Sequence, residues 1–119
     1  MAKILLAEDD ESMRGFLAKA LERAGHRVAS CGQGDEALTS LESEPFDLLL
    51  TDIVMPVMDG IELARRASSL YPKLKIMFIT GFAAVALSPD SQAPRNARIL
   101  SKPFHLRDLV SEIDRLLAA

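Results

Sequence analysis

Apolar residues come in two alternating textures along this chain. Unbroken runs, Ile4-Leu5-Leu6-Ala7, Leu48-Leu49-Leu50 and Ile76-Met77-Phe78-Ile79, alternate with longer stretches where apolar positions recur every three or four residues. Short continuous runs predict strands buried on both faces, and the wider spacing predicts amphipathic helices. Met13, Phe16, Leu17, Ala20, Leu21 and Ala24 form one such helical face, closed by Gly25. His26 to Cys31 reads as a more polar strand at a sheet edge. Gly34 to Ser43 is a short helix with Ala37, Leu38 and Leu41 inward. Pro45-Phe46 turns the chain into a strand over Asp47 to Thr51. Gly60 to Leu70 is a third helix, ended by Pro72. Lys75 to Thr80 and Arg98 to Ser101 are the fourth and fifth strands. Leu106, Leu109, Val110, Ile113, Leu116 and Leu117 give the last helix its apolar face.

Strands that alternate with helices predict an α/β fold with a parallel sheet covered on both faces. One interval breaks the rhythm. Phe82-Ala83-Ala84-Val85-Ala86-Leu87 contains good helix formers, but Ser88-Pro89-Asp90-Ser91-Gln92-Ala93-Pro94 follows, with two prolines. Proline inside a helix costs about 3 kcal/mol. A helix of at most two turns followed by an irregular loop is expected there.

The length of 119 residues predicts a single domain over 1–119, with no further output domain expected after the last helix. A net charge of −3 argues against direct nucleic-acid binding, which usually needs a basic patch. No apolar run approaches a membrane span and no signal-peptide pattern opens the chain. The single cysteine, Cys31, cannot form an internal disulfide and fits a reducing cytoplasm. His26 and His105 have no companions at metal-ligand spacing and read as packing or surface residues.

The candidate chemistry lies at the strand ends. Glu8, Asp9 and Asp10 follow the first strand, Asp52 the third, and Lys102-Pro103 the fifth, while Thr80 ends the fourth. In a parallel sheet these positions share one edge, where open α/β sheets bind ligands. Clustered carboxylates repel unless a cation neutralises them, and hard oxygen donors in an open site suit Mg²⁺. Asp52 is then a carboxylate nucleophile toward phosphorus. Asp9, Asp52 and a main-chain carbonyl just beyond it hold the cation, Lys102 meets one phosphoryl oxygen, and Thr80 offers its hydroxyl to another. Taken singly these residues have ordinary explanations, and Asp10 is best read as a helix N-cap. Their joint occurrence at four strand ends is what points to phosphoryl chemistry.

With these residues in view, the chain resembles the receiver domain of two-component response regulators. The likeness is carried by Glu8-Asp9, Thr51-Asp52-Ile53-Val54-Met55-Pro56, Met58-Asp59-Gly60, Thr80-Gly81 and Lys102-Pro103-Phe104, and covers essentially the whole chain. It implies a flavodoxin-like, doubly wound five-stranded parallel sheet of order 2-1-3-4-5. It also implies phosphorylation of Asp52 by a histidine kinase or histidine phosphotransferase, and Mg²⁺ at Asp9 and Asp52 with the Val54 main-chain carbonyl. Glu8 would act through water, and Pro103 would follow a cis peptide. The family's switch aromatic falls at Ile99, which cannot rotate a ring with a hydroxyl at its tip. Output through residues 88–98 is therefore expected. Val54 and Phe82 flank the path of a hydrolytic water without being able to orient it, so slow self-dephosphorylation is expected.

The stretch Met77 to Leu87, with Leu100 to Arg107, is similar to single-domain receivers that control ATP-dependent proteolysis. That likeness implies a ClpX-type unfoldase and protease as partner. The ending Leu116-Leu117-Ala118-Ala119 resembles bacterial degradation tags, although a helix end rich in good formers explains it equally well. A phosphate shuttle or sink in a phosphorelay is an alternative function.

Two other classes compete. Phosphatases of the haloacid dehalogenase type share an aspartate nucleophile, Thr, Lys and Mg²⁺, but need a second aspartate where Val54 stands. Gly32-Gln33-Gly34-Asp35-Glu36-Ala37 fits a dinucleotide fingerprint, yet it follows the second strand and places two acids at the helix start that would face a pyrophosphate.

Overall fold

The computed structural model describes residues 2–81, 86–88 and 90–118. Five strands, β1 (Lys3–Ala7), β2 (Arg27–Cys31), β3 (Leu48–Thr51), β4 (Lys75–Thr80) and β5 (Arg98–Ser101), form one parallel sheet of order β2-β1-β3-β4-β5. Four helices among the described residues cover it: α1 (Glu11–Arg23), α2 (Gly34–Ser43), α3 (Gly60–Leu70) and α4 (Leu106–Ala118). The expected doubly wound arrangement and the edge position of β2 are both observed.

The two-residue period of the central strands divides their side chains between two cores. Leu5, Ala7, Leu49, Ile53, Ile76 and Phe78 pack with Ala37, Leu41, Leu63, Ala64 and Ala67 of α2 and α3. Ile4, Leu6, Leu48, Leu50, Met77 and Ile79 pack with Leu17, Leu21, Leu109, Ile113 and Leu116 of α1 and α4. Each fully buried Leu or Ile contributes roughly 1.5–3 kcal/mol, so these inner strands anchor the sheet. Local signals fix the helix ends. The Asp10 carboxylate accepts from Met13 N at 3.0 Å, and Asp59 accepts from Glu62 N at 2.8 Å. Gly25, at φ +97°, takes the left-handed conformation that ends α1.

Two expectations about α1 are corrected. Phe16 is 55% exposed and Ala24 is exposed. Phe16 sits at the border of the apolar stripe and lines a surface groove with Leu106 and Val110, while Ala24 lies past the last turn. In the interval between β4 and β5, residues 82–85 and Pro89 lie outside the described residues. Ala86 and Leu87 are helical, and 90–97 runs as turns and bends.

Candidate functional site

The strand register builds the site. Ala7 of β1 pairs with Thr51 of β3, so the next residues, Glu8 and Asp52, leave the sheet side by side. The Asp52 N–H still reaches the Ala7 carbonyl at 3.0 Å. On the other side Thr80 pairs with Ser101, and the Lys102 N–H donates to the Thr80 carbonyl at 2.8 Å. Glu8, Thr51, Asp52 and Thr80 are the buried polar or charged residues among those described, and all four lie at this one edge. Burying carboxylates is costly unless they are paired and hydrogen-bonded. Here Lys102 Nζ lies 3.0 Å from Asp52 Oδ2 and 3.4 Å from Glu8 Oε1. Asp52 Oδ1 accepts from the Ile53 N–H at 2.7 Å, and Glu8 Oε2 from the Asp10 N–H at 3.1 Å.

One lysine does not balance three acids. Carboxylate oxygens of Glu8, Asp9 and Asp52 lie within 4.8 Å of one another. Burial, reinforced by the Asp52 charge, raises the Glu8 pKa above the usual carboxylate range; the Asp10 N–H and Lys102 only partly oppose this. Burial pulls the Lys102 ammonium the other way. The hydrogen bond to Asp52 and the charges of Glu8 and Asp52 outweigh it, so its pKa is raised and the amine is charged at neutral pH. An oxygen-only donor set with excess negative charge fits a hard divalent cation such as Mg²⁺.

The loop after Asp52 is tightly built. The Asp52 carbonyl accepts from Thr51 Oγ1 at 2.7 Å, and the Ile53 carbonyl accepts from the Gly60 N–H at 2.6 Å. A Cβ at residue 60 would fall 1.8 Å from the Asp52 carbonyl oxygen, so only glycine allows this approach. Val57 has φ +71°, and the Met58 N–H donates to the Pro56 carbonyl at 2.8 Å, closing a γ-turn around a β-branched residue. Such a conformation stores on the order of 1–3 kcal/mol of strain beside the site.

Glu8, Asp9, Asp52 and Lys102 are thus brought together, with Thr80 buried next to them. The peptide between Lys102 and Pro103 is cis. Val54 lies in the loop after Asp52 with its side chain 55% exposed. Ile99 faces Phe78 and lines a cavity of about 300 Å³ with Leu87, Pro94 and Ala97. Ala118 is the exposed end of α4, whereas Phe82 and Ala119 lie outside the described residues. Cys31 is half-buried, and burial pushes its thiol up to about 11, which leaves no thiolate for chemistry at neutral pH. His26 Nδ1 accepts from the Ala2 N–H at 3.2 Å, a packing role as expected. Sequence reasoning missed Arg14, whose Nη1 donates to the Glu8 carbonyl at 2.8 Å, and the contact of Lys102 with Glu8. The second was readable from the strand order; nothing local marked the first.

Residues 4–114 match the response regulator receiver domain family. The chain is 68% identical over 119 residues to the response regulator receiver protein CpdR of Brucella abortus, covering all of this chain and 99% of that protein. Several further relatives are longer proteins, of which this chain spans 12–24%. Among solved structures, the chemotaxis response regulator CheY4 of Vibrio cholerae superposes with a TM-score of 0.87 at 30% identity, over 98% of both chains. The response regulator TrrA of Thermotoga maritima, solved in complex with Mg²⁺ and BeF, gives 0.87 at 26% identity, over 98% of this chain and 99% of that one. With family match, full-length relative and strand order in agreement, the chain belongs to the response regulator receiver family.

Proposed function

We propose that this protein accepts a phosphoryl group on Asp52 from a phosphorylated histidine of a kinase or phosphotransferase, and that the modification switches its binding to a partner. The observation that carries this reading is the buried Asp52 carboxylate, held by the Ile53 N–H and faced by Lys102 and the acid pair. An Asp52 oxygen bonds to phosphorus as the P–N bond to the donor imidazole breaks; the departing nitrogen keeps the electron pair. Mg²⁺ held by Asp9, Asp52 and the Val54 carbonyl, with Glu8 acting through water, would neutralise charge on the phosphoryl oxygens. Ile53 N–H fixes the rotation of the nucleophile. Lys102 moves its hydrogen bonds from Asp52 and Glu8 to a phosphoryl oxygen, and Thr80 supplies a hydroxyl.

For output, Ile99 offers no hydroxyl-tipped ring, which favours residues 88–98 as the responsive segment. Amide exchange there should change when a beryllofluoride mimic is added; unchanged exchange would reject that part. The apolar Val54 and Phe82 favour a long-lived phosphoryl group, and Val54→Asn should shorten its lifetime. The near-full-length likeness to CpdR, with the Met77 to Leu87 stretch, supports a ClpX-type unfoldase and protease as partner in the cytoplasm. Among the described residues no helix is long and apolar enough to cross a membrane. The ending Leu116 to Ala119 is a candidate recognition tag for that unfoldase, to be tested by replacing Ala118 and Ala119 with aspartate and following turnover.

A phosphate shuttle is the second reading, because the contacts of Asp52 with Lys102 and the acid pair serve phosphoryl acceptance whatever follows it. Capture of the protease by wild type and Asp52→Ala, run beside phosphotransfer from a phosphorylated histidine protein, separates the two. Protease binding that differs between the two forms supports the switch. Phosphotransfer with no protease binding by either form supports the shuttle.

A further inference from the structure

The Gly32-Gln33-Gly34 segment has acids at its helix start and suits no phosphate, yet both glycines press on the loops that carry the carboxylates. A Cβ on Gly32 would lie 2.9 Å from Arg14 Nη1, the same nitrogen that donates to the Glu8 carbonyl at 2.8 Å. The residue before Gly32 also acts on Glu8: the Cys31 carbonyl accepts the Glu8 N–H at 3.0 Å. Both main-chain polar groups of Glu8 are therefore held, one by the end of β2 and one by a side chain from α1 that passes over Gly32. Gly34 admits the other acid-bearing loop. A Cβ there would lie 2.6 Å from the Met58 carbonyl oxygen, in the loop that begins at Asp52.

We propose that Arg14 is a positioning residue that sets the Glu8-Asp9 loop for cation binding through the Glu8 carbonyl, in space that Gly32 leaves open. Partners beyond the direct ligands commonly orient them and change metal affinity by about 10- to 100-fold when lost. This inference rests on the Mg²⁺-dependent phosphoacceptor reading above and assigns it a supporting element outside the acid cluster.

Two physical effects of Arg14 on a cation have opposite signs, which makes the idea testable. Its positive charge repels a cation, so charge removal alone should tighten binding. Its hydrogen bond orders the acids, so loss of position should weaken binding. Gly32→Ala separates these effects, because it keeps the charge. The atom it meets is the far end of a flexible side chain, so the guanidinium moves aside at low cost to stability and leaves the Glu8 carbonyl.

The experiment is Mg²⁺ titration by calorimetry of the wild type, Arg14→Gln, Arg14→Lys, Gly32→Ala and the Arg14→Gln/Gly32→Ala double variant, each first shown folded by circular dichroism. Arg14→Gln should weaken Mg²⁺ binding roughly tenfold. Gly32→Ala should act in the same direction, the double variant should be no worse than Arg14→Gln, and Arg14→Lys should recover part of the loss. Phosphorylation by acetyl phosphate should slow at low Mg²⁺ and recover at saturating Mg²⁺. Equal or tighter binding by Arg14→Gln, or additive losses in the double variant, overturns the inference while leaving the proposed function standing. Should Arg14→Gln fail to fold, Gly32→Ala carries the test, and wild-type affinity in it overturns the inference. A wild type that binds no Mg²⁺ rejects the proposed function itself, and this inference with it.

Discussion

Strands β3 and β5 both deliver a charged residue to the same edge, but they are built differently. Every residue of β3 is buried, and Asp52 emerges from it with its carboxylate held by Ile53 N–H and its carbonyl by Thr51. None of the four residues of β5 is fully buried, and Lys102 follows from an outer strand beside the turn-rich 90–97 segment. The acid half is preorganised, whereas the cation comes from the half of the sheet with less packing to lose. Local opening is cheapest where few apolar contacts hold an element. A change at Asp52 that draws Lys102 to a new partner would therefore be felt first on the β5 side.

Substitutions in the two halves of the sheet should differ in their cost. Leu50→Ala in β3 should destabilise the fold by about 3–4 kcal/mol in urea unfolding, within the range for fully buried leucines. Gly60→Ala should cost about 2–3 kcal/mol, because its Cβ meets the Asp52 carbonyl and that loop must shift. Ile99→Ala in β5 should cost only about 1 kcal/mol, since its side chain already borders a cavity and is half-exposed. Equal losses for Leu50 and Ile99 would remove the distinction between the two strands.

The smallest effect has the opposite sign. The Glu8 pKa is raised in the fold, so the native state binds more protons there than the unfolded chain does. Stability then falls as pH rises from the ordinary glutamate value of 4.5 through the raised one. Glu8→Gln should therefore be slightly more stable than wild type at pH 7 without Mg²⁺. The difference should close below pH 4.5. A variant less stable than wild type at pH 7 would mean that Glu8 is well compensated by Lys102.

Much of this was legible in the sequence because it depends on local signals. Pro72 and Gly60 bracket α3, Asp10 caps α1, and the run Leu48-Leu49-Leu50 has no polar residue to place on a solvated face. Asp52 and Lys102 could be assigned to one edge because parallel strands align their ends. What escaped depends on distant groups. Phe16 shares the α1 spacing with Leu17 and Leu21, but packing of α4 decides which side of that stripe is covered. Arg14 acts through a main-chain carbonyl six residues before it and a glycine eighteen after, a pairing that no periodicity reveals. The positive φ of Val57 runs against its β-branched side chain, so residue preference points away from the observed turn.

Asp52 is proposed above as a cation-dependent phosphoacceptor. Its most direct test is intact-mass measurement of wild type and Asp52→Asn after incubation with acetyl phosphate, with Mg²⁺ and with chelator. One phosphoryl adduct on the wild type, dependent on Mg²⁺ and absent from Asp52→Asn, is the expected result; an adduct that persists in Asp52→Asn, or none on the wild type, would contradict it.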